Sequence, residues 1–208
     1  MSIPNRLMSI PQQPTAVVYC EANFGAMDGK TANGLVRYSE KYEILSVIDS
    51  TKAGMDSGAV LDEKENGIPI CRSLAAALEL AEGVPDYFIF GMAPSSGMLS
   101  PIERGLVLEA MGLGMNIVNG LHEFLNDDPE FAKASRAGNV EIIDIRRPRP
   151  KKDLRMFSGS IAKVTCPRIA VLGTDGAIGK RTTATILARA LNERGIKTVL
   201  VGTGQTGL

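Results

Sequence analysis

The chain has 208 residues, 44% of them hydrophobic and 22% charged, with 23 basic and 23 acidic side chains. That length suits one large or two modest domains, and the charge balance excludes a global field for nucleic acid or an anionic membrane. Three widely spaced cysteines, Cys20, Cys71 and Cys166, and one histidine, His122, exclude a zinc-ligand pattern and a disulfide scaffold and point to a reducing compartment.

The opening "MSIPNRLMSIPQQPTAVVYC" has no continuous apolar stretch ahead of a cleavage site, so no signal peptide is expected. No run approaches the roughly eighteen apolar residues of a membrane span. The expected location is cytoplasmic. The first β-rich run, Thr15–Cys20, is followed by "FGAMDGKT", Phe24 to Thr31. Its Gly25, Gly29, Lys30 and Thr31 make either an ordinary strand-to-helix turn or a nucleotide loop, although it matches neither the Walker spacing nor GxGxxG. A second strand is expected over Tyr42–Asp49. Asp49 then stands where a dinucleotide fold places its ribose-binding acid. A helix is expected from a Ser73 cap to Gly83, and a third strand over Asp86–Met92.

The next loop, "GMAPSSG", offers Ser95, Ser96 and bare amides, as helix-capping chemistry or as a ligand contact. It leads into "SPIERGLVLEAMG", where Ser100, Pro101 and Glu103 predict a capping box with proline at the first helical position. A strand over Met115–Gly120 ends at "GLHEFL", which places His122 beside Glu123. A lone histidine there is either structural or, with its carboxylate neighbour, a catalytic base. Asp128 and Pro129 start another helix that Gly138 is expected to stop, and a fifth strand follows over Val140–Ile145. Strands alternating with helices predict an α/β fold with a parallel sheet covered on both faces.

"RRPRPKKD", Arg146 to Asp153, is an extended proline-rich linker or an anion-binding patch. Beyond it, "PRIAVLG", a helix from about Gly179 to Arg194, and "KTVLVG" form a second strand–helix–strand unit. Between them lies "GTDGAIGKRTT". Gly173, Gly176 and Gly179 free the backbone to turn N–H groups inward, and Lys180 adds a cation at the first helical turn. Together with Thr174, Asp175, Arg181, Thr182 and Thr183 these are the candidate phosphate-binding residues. Arg181 occupies the usual hydroxyl position. A magnesium ligand would therefore move to Thr182, about 100° around the helix. The expected organisation is a Rossmann-like amino-terminal domain over 1–145, a linker over 146–166, and the first strand–helix–strand of a P-loop NTPase-like domain over 167–208. A strand–helix–strand unit alone leaves sheet edges and an apolar face open, so the chain is expected to be a fragment.

The loop with Gly-Thr-Asp at its start resembles that of dethiobiotin synthetase. The ordered set "GMAPSSG", "LSPIERGLVLEAMGLGMNIVNGLHEFLNDDPEF", "IIDIRRP", "VLGTDGAIGKRTTA" and "VGTGQTG" resembles one family over most of the chain. This is the DgcN-like family of two-domain proteins, the D-glutamate N-acetyltransferases and their relatives. The resemblance implies a Rossmann-type domain joined to a P-loop domain, with a residue other than Ser or Thr after the loop lysine and a threonine pair next. It also implies that Gly176 stands where many relatives carry cysteine. The implied activity is acetyl transfer from acetyl-CoA to the amine of D-glutamate or a related amino acid. Loop phosphate contacts would be joined by Arg189 or the Arg146–Lys152 stretch. The alternatives are an ATP-dependent ligase or kinase with magnesium at Thr182, and a dinucleotide (NAD)-binding protein. The expected partners are a small-molecule substrate and further copies of the chain, with no nucleic acid and no membrane.

Overall fold

The computed structural model describes residues 13–202 except 95, 176 and 177. The chain divides into two units, Met1–Ile145 and Arg146–Gly207. In the first unit, short β-branched and aromatic runs form strands β1 (Thr15–Tyr19), β2 (Glu43–Ile48), β3 (Ile70–Cys71), β4 (Tyr87–Phe90), β5 (Asn116–Asn119) and β6 (Ile142–Asp144). All pair in parallel, in the order β3-β2-β1-β4-β5-β6. This is the doubly wound arrangement, whose order reverses between β1 and β4. Val17, Val18, Phe88, Ile89, Ile117 and Val118 are all buried, as a sheet covered on both faces requires.

Helices α1 (Lys30–Tyr38), α2 (Ser57–Asp62), α3 (Leu74–Leu80), α4 (Pro101–Gly112) and α5 (Pro129–Gly138) connect the strands. Ser100 accepts from Glu103 N while the Glu103 carboxylate accepts from Ser100 N, which completes the expected capping box. Asp128 caps α5 and also pairs with Arg104 of α4, whose guanidinium lies 4.5 Å over the Phe131 ring. One residue thus starts a helix and ties it to its neighbour.

Three details differ from the sequence pattern. Strand β3 is only two residues long, too short to show a periodicity. Helix α3 ends at Leu80 rather than Gly83, because Ala81 turns to extended backbone. The residue that terminates α5 is Asn139, in the left-handed conformation, one place beyond Gly138. Asn tolerates that conformation better than most residues.

The second unit contains α6 (Lys180–Glu193) and short 3₁₀ turns. The apolar runs on either side of α6 form no ladder among the described residues, and Ile169, Leu172, Val199 and Val201 are exposed. An extended run becomes a strand only when a neighbouring strand takes its N–H and C=O groups, and among the described residues neither run pairs with one; the Asn192 side chain takes the N–H and C=O of Thr198 instead. No helix among the described residues is long and apolar enough to cross a membrane.

Packing is close at Gly91, just past β4. A Cβ there would sit 2.6 Å from Val18 Cγ1 and 2.9 Å from Ala32 Cβ. Gly91→Ala is expected to cost about 1–3 kcal/mol through overpacking. Urea unfolding should show it as a lower midpoint with an unchanged slope.

Candidate functional site

Open α/β sheets bind ligands beyond the carboxyl ends of their strands, at the switch in strand order. Here that place lies between the loops after β1 and β4, which backbone hydrogen bonds tie together. Ala32 N of α1 donates to Gly91 O at 3.1 Å, Ala93 N donates to Asp28 O at 2.9 Å, and Lys30 N donates to Met27 O at 3.2 Å. "FGAMDGKT" forms the turn from β1 into α1, with the Lys30, Ala32 and Asn33 amides bonded to backbone oxygens.

Asp49 is fully buried at the end of β2 and does not wait for a ribose. Its Oδ1 accepts from Ala22 N, Thr51 N and Thr51 Oγ1 at 3.1, 3.0 and 2.6 Å. Its Oδ2 accepts from Phe24 N at 3.1 Å and faces Lys52 Nζ at 3.5 Å. Ala22 is held at φ 56°, in the left-handed region that a residue with a side chain rarely adopts. Burial pushes the Asp49 pKa up, but the bonds from Thr51, Phe24 and Ala22 outweigh it and hold the carboxyl below its ordinary value. Beside it, burial and the Asp49 charge push the Cys20 thiol up to about 12, which leaves it protonated and unreactive.

At the ends of β4 and β5, His122 N and Glu123 N both donate to Gly97 O, at 3.0 and 3.3 Å. Glu123 Oε2 accepts from Leu99 N at 3.0 Å, so this carboxylate fastens the loop before α4. The His122 ring lies against Gly97, and the residue is exposed. Asn119 and Asp144 hold the same loop from below. Asn119 Nδ2 donates to Glu123 O and to Asp144 Oδ1, and Asp144 also accepts from Leu125 N and Asn126 N. Sequence reasoning paired His122 with Glu123 and missed Asn119 and Asp144, although both are polar residues at the ends of apolar strands. Ser96 bonds within its own turn, to Met98. Ser95 lies outside the described residues.

In the second unit Gly179 begins α6 at φ 89°, and α6 carries no side-chain cap. Lys180 folds back so that Nζ donates to the Asp175 carbonyl. Its side chain packs on Gly173, where a Cβ would meet Lys180 Cδ at 3.0 Å and Ile178 Cδ1 at 2.5 Å. Gly173, Asp175 and Ile178 thus lie around the lysine side chain, at the amino end of α6. Thr182 and Thr183 are exposed on the first turn, and Gly176 lies outside the described residues. Among the described residues no three His, Cys, Asp or Glu side chains converge as a metal site. A cleft of about 440 Å³ lies at the opposite, amino end of the sheet. Its Asp86 is taken up by Thr15 N and Oγ1 at 2.7 and 2.9 Å, which makes it a latch between β1 and β4.

These features define an α/β protein that joins a Rossmann-like unit to a unit with a lysine-centred phosphate loop. The chain belongs to the DUF1611 family: the Rossmann-like domain model matches residues 50–148 and the P-loop domain model residues 155–208. It is 34% identical over 121 residues to a D-glutamate N-acetyltransferase of Pseudoalteromonas sp and 29% identical over 120 residues to one of Tritonibacter scottomollicae. Each match covers 58% of this chain and 35% of the relative. The crystal structure of a DUF1611 family protein from Anabaena variabilis superposes with a TM-score of 0.81 at 32% identity, over 94% of this chain and 55% of that one.

Asp49→Asn would turn an amide NH₂ toward either the Phe24 N–H or the donors on Oδ1. At neutral pH it is expected to cost about 1–3 kcal/mol. The native carboxylate has its pKa below the unfolded value of about 3.9. Its contribution is therefore complete above that pH and is lost as pH falls through the folded pKa. Urea midpoints of wild type and variant should differ most near pH 7 and converge at strongly acid pH.

Proposed function

We propose that this chain forms part of an N-acetyltransferase that moves an acetyl group from acetyl-CoA to the amine of D-glutamate or a related amino acid, with loop 173–183 holding cofactor phosphates. The observation that carries the reading is the 34% identity to a D-glutamate N-acetyltransferase. The loop supports it. Gly179 is left-handed, α6 starts without a side-chain cap, and Lys180 already bonds a backbone oxygen that a phosphate oxygen would replace. When bound, acetyl-CoA would supply a thioester carbonyl open to attack by the amine. Gly173, Thr174, Asp175, Gly176, Gly179, Lys180, Arg181, Thr182 and Thr183 make up the proposed phosphate cradle.

A second reading draws on the hydroxyls of Thr182 and Thr183, two and three residues past the lysine. Binding ATP with magnesium at Thr182 would make the protein a ligase or kinase. The proposed base for the acceptor amine is His122, exposed in the loop after β5, with its neighbour Glu123 as a positioning residue that fastens that loop to Leu99.

Calorimetric titration with CoA, ATP and NAD distinguishes the cofactor classes. Lys180→Ala is expected to weaken CoA binding by about 10- to 100-fold, the value of a hydrogen bond to a charged group. A thiol-release assay over D- and L-amino acids should show CoA released with D-glutamate. Release with no amino acid, or ADP formation in its place, would sink the reading. His122→Ala should lower kcat about 10²- to 10⁴-fold. An unchanged kcat would remove His122 from the mechanism.

A further inference from the structure

The balanced total charge conceals two opposite halves. Residues 1–145 hold 10 Lys and Arg against 20 Asp and Glu, while residues 146–208 hold 13 against 3. The first unit therefore carries −10 and the second +10. The excess gathers ahead of the loop: Arg149, Lys151, Lys152, Arg155 and Lys163 are all exposed, and none makes an ion pair among the described residues. Asp153 is the one acid between Arg146 and Arg168.

We propose that this basic segment is a collecting surface for polyphosphate anions, which speeds their capture by loop 173–183 through the field rather than through contact. The inference rests on the reading of that loop as a phosphate cradle. It needs the charges to lie within screening range of the loop. Arg168 is five residues before Gly173, so extended chain limits their separation to about 18 Å. The Arg168 guanidinium donates to Ile161 O at 2.9 Å, which draws the Lys163 turn to the same end of the segment. The screening length is about 30 Å at 0.01 M salt and about 10 Å at 0.1 M, so charges of the segment within that reach of the loop act at low salt and few of them at high salt. A bound nucleotide or CoA carries several negative charges, and steering of such ligands raises association rates by about 10- to 10³-fold. Over the first unit the same ligands meet a repulsive field, and Asp49 and the bonded start of α1 offer them no seat.

The test is stopped-flow binding of fluorescent CoA and fluorescent ATP to the full chain, with Lys151→Gln/Lys152→Gln/Arg155→Gln and the charge-conserving Lys151→Arg/Lys152→Arg. The wild-type association rate should fall about tenfold between 0.01 and 0.3 M salt. At low salt the triple variant should associate several-fold more slowly, with an unchanged dissociation rate, and should converge with wild type at high salt. The arginine variant should match wild type throughout. An association rate indifferent to salt or to the triple variant overturns the inference and leaves the loop reading intact. So does a change confined to dissociation, which would indicate direct contact. If neither probe binds, the loop reading fails and the inference fails with it.

Discussion

Where β4 ends, Gly91 brings three pieces of backbone together. Its N–H donates to Tyr19 O at 2.8 Å and its C=O accepts from Ala32 N at 3.1 Å, while Ala32 and Val18 crowd its α-carbon. The two central strands and the first helix are thus locked at the switch in strand order. Any side chain at residue 91 would part them. The same contact also takes up one amide at the start of α1.

The carboxylates of the first unit follow the same logic. Asp49, Asp56 and Asp144 each gather several backbone amides, in the loops after β1 and β2, around α2, and after β5. A carboxylate surrounded by N–H groups is worth more than a neutral acceptor and fixes loop geometry in a sheet whose turns are irregular. It also removes the acid from ligand chemistry. A left-handed glycine, a helix without a side-chain cap and a folded-back lysine lie in the second unit together with its positive charge.

How much was legible varied with the range of the interaction. The five longer strands follow from β-branched runs such as Val17–Val18 and Ile117–Val118, because each run carries its own burial signal. The caps at Ser73, Ser100 and Asp128 follow from residues within four positions of one another. The Gly-Lys core of the phosphate loop is equally local. The role of Asp49 was not readable, since its partners Ala22 and Phe24 lie more than twenty residues away and compete with the ribose expected from its position alone. Glu123 was legible as a neighbour of His122, but not as the acceptor for Leu99.

By itself the sequence determined the α/β class, the helix starts, the parallel alternation of strand and helix, and the glycine-lysine loop of a P-loop domain. Each depends on spacing within a turn or a strand, where covalent connection already puts the residues in register. Tertiary structure alone decided that Gly91 ties β1, β4 and α1 together, that Asp49 and Glu123 organise loops, and that β3 exists at all. These outcomes depend on which distant N–H reaches which oxygen first. A buried carboxylate takes the nearest donors the fold presents, and no local pattern specifies them.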